Sequence, residues 1–228
     1  MLPATPAYAS AVTGYGASDG IGAVPLTRGT ALLDCRINFV SPNSLAVPVV
    51  SVVTCLAEGL EFGVGTGLNV SDLGATNRTS LESVYPWLKA SLPLGRDSLK
   101  TGVALGTLIP GINSTSEALP GVTGLVDWGC GPVTSGVNFG YAKGLSSGTN
   151  LAAGNLNFTL PMDGLSLYEE QFVNYPIGGF ANGGIRVSLN FPVSKRLTFD
   201  VSPAVLWANG AAGTIWSFNP NLGFALSF

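Results

Sequence analysis

Seven charged residues stand singly within otherwise apolar stretches: Asp34, Arg36, Glu61, Lys89, Lys100, Arg186 and Asp200. Both signs occur. Such residues can line a polar pathway and set its ion preference, or pair with one another and hold an interior shut. Other chemistry is poorly supported. The sequence contains no histidine, which excludes a Ser–His nucleophile pair and argues against a zinc site. GxSxG does not occur. Gly63-Val-Gly-Thr-Gly67 lacks the GxGxxG spacing and the helix that would hold a phosphate. Glu169 and Glu170 are adjacent, do not converge naturally, and read as a solvated acidic loop. No catalytic residue, cofactor or metal is expected.

The elements that must position these charges have a period of two, which means strands. Residues 30–40 set Ala31, Leu33, Cys35, Ile37 and Phe39 against Thr30, Asp34, Arg36 and Asn38. Residues 60–70 set Leu60, Phe62, Val64, Leu68 and Val70 against Glu61 and a row of glycines. The same alternation places Lys89, Lys100, Arg186 and Asp200 on the less apolar faces of 84–94, 99–109, 183–193 and 197–207. Residues 45–56 are apolar on both faces. Residues 126–144 change phase around Gly131-Pro132, as a bulge or two short strands would.

The last stretch, 214–228, is the clearest. Trp216, Phe218, Pro220, Leu222, Phe224, Leu226 and Phe228 share one face, and small or polar residues fill the other. It exceeds an ordinary strand of about 5–6 residues and reaches the roughly 9–11 tilted residues that cross a bilayer. A final strand with Phe224, Leu226 and a terminal Phe228 resembles the bacterial outer-membrane β-barrel proteins. That resemblance implies that Phe224, Leu226 and Phe228 are an assembly signal. More weakly, residues 92–100 and 194–200 resemble turns of the small barrels associated with aromatic degradation.

Composition agrees. Charged residues make up 10% of the chain and mean hydropathy is +0.40, whereas a soluble domain carries about 25% charge. No apolar run of about 18 residues is present to form a spanning helix. Alternating strands reconcile these facts, because each hides its apolarity in every second residue. A pI near 4.8 argues against nucleic acid as a partner. The three cysteines, Cys35, Cys55 and Cys130, cannot complete a disulfide framework and read as packing residues. Ala7-Tyr8-Ala9 fits a signal-peptide cleavage site without the regions that should precede it. Residues 1–29 therefore read as a signal-peptide remnant with a Gly/Ala/Ser-rich segment, or as an ordinary flexible start.

The expected fold is all-β: a transmembrane antiparallel up-and-down β-barrel over 30–228 in the bacterial outer membrane. It should have about ten strands, with twelve as the alternative, since single-chain bacterial barrels have an even number. With the C-terminus in the periplasm, turns at 57–59, 95–98, 145–150 and 194–196 should lie on that side. Loops 71–83, 110–125, 161–182 and 208–214 should lie outside, and the first three could meet envelope proteins. Trp207 with Trp216, and Phe191 with Phe199, should form aromatic girdles where such rings favour the lipid–water interface. The expected function is a narrow passive channel for small solutes, surrounded by outer-membrane lipid. The alternatives are a scaffold barrel that binds a protein partner, and a soluble all-β surface-layer or virion module.

Overall fold

A computed structural model of the chain describes residues 28–41, 44–71, 78–81, 84–92, 98–110, 118–148, 150–211 and 213–228. The expected signal-peptide remnant lies, up to residue 27, outside them. Fifteen extended segments form one antiparallel sheet. They are β1 (Ala31–Ser41), β2 (Ser44–Ala57), β3 (Leu60–Ser71), β4 (Arg78–Leu81) and β5 (Tyr85–Leu92). Then come β6 (Leu99–Leu108), β7 (Leu119–Cys130), β8 (Val133–Lys143), β9 (Asn150–Met162) and β10 (Leu165–Pro176). The last are β11 (Asn182–Pro192), β12 (Leu197–Val201), β13 (Ala204–Gly210), β14 (Gly213–Asn219) and β15 (Asn221–Ser227).

Three pairs of segments are single staves with an interruption. β4 and β5 both run along β3, and β12 and β13 both run along β11. β14 and β15 run along β13 and β12 in turn. The sheet therefore has twelve staves. Proline causes two of the interruptions, because it has no N–H to give a ladder. Pro203 and Pro220 fall at matching heights, between the pairs Ala204↔Asn219 and Val201↔Leu222. The gap is sealed locally. Ser202 N–H donates to Asn221 O at 2.8 Å, and the Asn221 side-chain amide donates to Ser202 O at 2.9 Å.

The sheet closes on itself. β1 pairs with β15 from Leu32↔Ser227 to Asn38↔Asn221. Ala31 N–H donates to Phe228 O at 3.3 Å, and Phe228 N–H donates to Ala31 O at 2.9 Å. Closure leaves no free edge for hydrocarbon to strand unsatisfied. Deleting Phe228 removes only the outermost of these contacts. Its loss is expected to lower insertion in cells strongly while barely changing refolding yield in detergent. Equal loss in both assays would make the residue a packing element instead of an assembly signal.

Twelve staves are the alternative to the ten expected, and the extra two have a clear origin. Residues 126–144 are two strands joined at Gly131-Pro132, where Gly131 has φ +62° and Cys130 faces Val133. Glycine at the first central position is what a type II′ hairpin requires. Residues 161–182, expected as the longest loop, are mostly strand. β9 turns into β10 at Asp163-Gly164, with Gly164 at φ +75°. The connection at 144–149 consequently lies on the rim opposite the C-terminus, not on the periplasmic side as first expected. Loop 110–125 is shortened because β7 begins at Leu119, and 71–83 contains β4.

The burial pattern is inverted relative to a soluble protein. Outward faces leave Val52, Phe62, Leu105, Ile185, Val205 and Phe218 between 40% and 65% exposed. Asp34, Glu61, Lys89, Asp127, Glu170 and Arg186 are buried inside. A soluble sandwich holds its large apolar side chains between two sheets. Here a single closed sheet turns them outward, so the soluble-module alternative does not fit.

Candidate functional site

The site is the inner wall of the barrel. It holds a buried ion pair: Lys89 Nζ lies 2.8 Å from Glu61 Oε2, with the side chains 3% and 1% exposed. The register sets them face to face on β5 and β3. Asp127 on β7 lies close enough to act on Lys89 electrostatically. From Asp127 the polar wall continues across Gly136, whose register partners are Asp127 and Asn157. A Cβ at Gly136 would overlap the Asp127 carboxylate and stand 2.7 Å from Asn157 Oδ1. Glycine there lets an acid and an amide lie over the strand between them. Asn157 then donates to Asn155 Oδ1 at 3.1 Å, and the Asn155 amide donates to Glu170 Oε1. Glu170 faces Arg186 across β10 and β11. Asn174 donates to Asn182 Oδ1 at 3.2 Å further along. Ser202 donates to the Asp200 carboxylate next to the proline gap.

An apolar strip lies on the same wall, next to these groups. Leu32, Val53, Trp87, Ala104 and Leu125 pack together from β1, β2, β5, β6 and β7, with Tyr85 against them. Glycines seat the two aromatic rings. Gly63 and Gly106 flank Trp87 in the register, and Gly65 faces Tyr85. A Cβ at Gly63 would overlap the Trp87 indole, and one at Gly65 would stand 2.9 Å from Tyr85 Cζ. Gly63, Gly65 and Gly106 therefore do not open the bore; the rings fill the space they leave.

Among the residues first singled out, Asp34, Glu61, Lys89, Arg186 and Asp200 are buried in the interior. Lys100 is exposed near the C-terminal rim, opposite Asp127 in the register. Arg36 falls opposite Gly223 in β15, and its side chain lies outside those described. Asp127 and Glu170 belong to the same wall and were missed. Trp207 pairs with Trp216, and Phe191 with Phe199, which also meets Phe224 edge-on with centroids 6.3 Å apart. Phe224 and Leu226 pair with Cys35 and Leu33. Cys130 is exposed at the β7–β8 turn and so does not act as a packing residue. Among the described residues, no group of acidic, cysteine or histidine side chains is arranged to hold a metal ion.

Solved structures share this architecture. A NanC porin superposes with a TM-score of 0.67 over 85% of this chain and 98% of its own, at 10% identity. The fold is that of the small outer-membrane channels. An outer-membrane channel from Pseudomonas putida F1 gives a TM-score of 0.61 over 90% of this chain and 97% of its own, at 11% identity. The CymD monoaromatic hydrocarbon channel gives 0.56 over 89% of each chain, at 8% identity. No family model and no curated protein sequence matches the chain. The likeness to these channels thus lies in backbone architecture, at 8–11% identity.

Proposed function

We propose that the protein is a narrow passive channel of the bacterial outer membrane, surrounded by outer-membrane lipid and performing no catalysis. One observation carries this reading. Polar and charged side chains line the inside of a closed barrel whose outside is apolar, from Lys100 at one rim to the Asn174–Asn182 pair towards the other. A barrel in water has no use for that inversion, and a lipid-embedded one requires it. Leu125 of the apolar strip faces the buried Asn138, which in turn faces Asn155, and this meeting of apolar and amide groups suits small solutes with both a nonpolar face and hydrogen-bonding groups.

Conductance of the purified protein in a planar bilayer tests the reading. Discrete current steps are expected, with Lys89 and Lys100 contributing to ion preference. Changing both to Glu replaces two cations by two anions in a low-dielectric bore, where charges are poorly screened. Reversal potentials in a salt gradient should then move towards cation selectivity.

Tight packing favours a second reading. Glu61, Lys89 and Glu170 are 1%, 3% and 1% exposed, as in an interior that holds the barrel shut. The protein would then be a scaffold that meets envelope proteins at the rim where β3, β6, β8 and β10 end. Electrical silence of both the native protein and the Glu variant would decide for the scaffold.

A further inference from the structure

On β10 the rule that apolar residues face out is broken at mid-height. Tyr168, Glu170 and Asn174 are buried inside, so Leu167, Glu169, Gln171, Val173 and Tyr175 point outward. Among the described residues, Glu169 is the sole charged side chain on an outward face away from the strand ends. Gln171 lies beside it and donates from Nε2 to Glu169 Oε1 at 3.0 Å. The register surrounds the pair with Phe158 and Leu156 on β9 and with Val187 and Ile185 on β11. A carboxylate and a carboxamide thus form a polar island in an apolar surface, near the middle of strands that span the barrel wall.

Hydrocarbon offers such groups no hydrogen-bond partner, and ionisable residues at membrane depth face protein or water. We infer that this face of β9, β10 and β11 is covered by a second copy of the chain. The island is self-complementary. It carries an amide donor and a carboxylate acceptor side by side, and a two-fold axis along the membrane normal repeats both at the same depth. The Gln171 amide of each copy then reaches the Glu169 carboxylate of the other. A lipid chain supplies neither group, and an unrelated barrel would need a matching pair at the same depth. Ala152 and Gly154, small outward residues on β9, leave room for close approach beside Val173 and Tyr175.

The inference rests on the barrel being embedded in lipid, and two measurements separate the claims. Flotation of the full chain with phosphatidylcholine vesicles tests embedding alone. Subunit counting by single-molecule photobleaching in those vesicles tests pairing. Two bleaching steps are expected for the native protein and one for the double variant Glu169→Leu with Gln171→Leu. Should that variant not fold, Gln171→Leu alone removes the donor and carries the same expectation. Val173→Cys, with the native cysteines replaced by alanine, should form an oxidised dimer, whereas Val64→Cys on the opposite side should not. A native protein that floats but bleaches in one step overturns the pairing, as does a leucine variant that keeps two steps. Capture of a different membrane protein at β10, with single-step bleaching in pure lipid, also overturns it.

Discussion

Replacing Lys89 by Met is expected to lower the unfolding free energy by about 3–5 kcal/mol, the cost of leaving one partner of a buried ion pair uncompensated. The stranded group is Glu61, 1% exposed, and its cation at 2.8 Å is gone. Asp127, also buried, loses a nearby positive charge at the same time. Denaturant unfolding in detergent micelles, followed by tryptophan fluorescence, measures the loss. The double variant Lys89→Met with Glu61→Leu should recover most of it, because well-packed apolar residues often replace a whole buried pair at little cost. A loss below about 1 kcal/mol for the single variant would mean that the pair behaves as a solvated one. The bore would then be wet around it, so the same experiment weighs an open channel against a sealed scaffold.

The second large effect concerns Trp87. Changing it to Ala is expected to cost about 3–5 kcal/mol in stability, as for other buried large-to-small changes. Conductance should rise several-fold, because the largest ring in the wall is removed. Gly63→Ala should act the opposite way. Its new Cβ overlaps the indole, and overpacking of this kind costs about 1–3 kcal/mol. The ring must tilt into the bore, so unit conductance should fall. Combining the two should cost no more than Trp87→Ala alone, since the methyl group then has nothing to meet. Contacting residues couple in this way, and independent ones add. Single-channel recordings and unfolding curves of the three variants check both halves. Additive stability losses would show that Gly63 serves the backbone and not the ring.

The sequence was most legible where the two faces of a strand differ sharply. β3 and β11 alternate Phe62, Val64 and Ile185, Val187 with glycine, Glu61 and Arg186, and this fixes their phase and their inward charges. β10 was illegible for the same reason that makes it unusual. Its outward face carries Glu169 and Gln171 and its inward face Tyr168 and Phe172, so the contrast cancels and the stretch reads as loop. Glu170 was lost with it. Asp163-Gly164 was the signal available, since Asp-Gly between extended runs marks a hairpin. Asp127 was missed because the phase change at Gly131-Pro132 hid the strand before it. Contacts such as Trp87 over Gly63 depend on neighbours distant in sequence, and no local pattern carries them.

The pairing of Leu32 with Ser227 also has a kinetic consequence. The barrel cannot close until the last strand has been made and has travelled back to the first, so its decisive contact has nearly the largest sequence separation the chain allows. Such contacts forgo the entropy of almost the entire loop before anything is gained, and folding slows accordingly. Until then β1 and β15 both present unpaired edges, which other chains can capture. A temporary partner strand offered to β15 would cover that edge during the interval without adding any stability to the finished barrel.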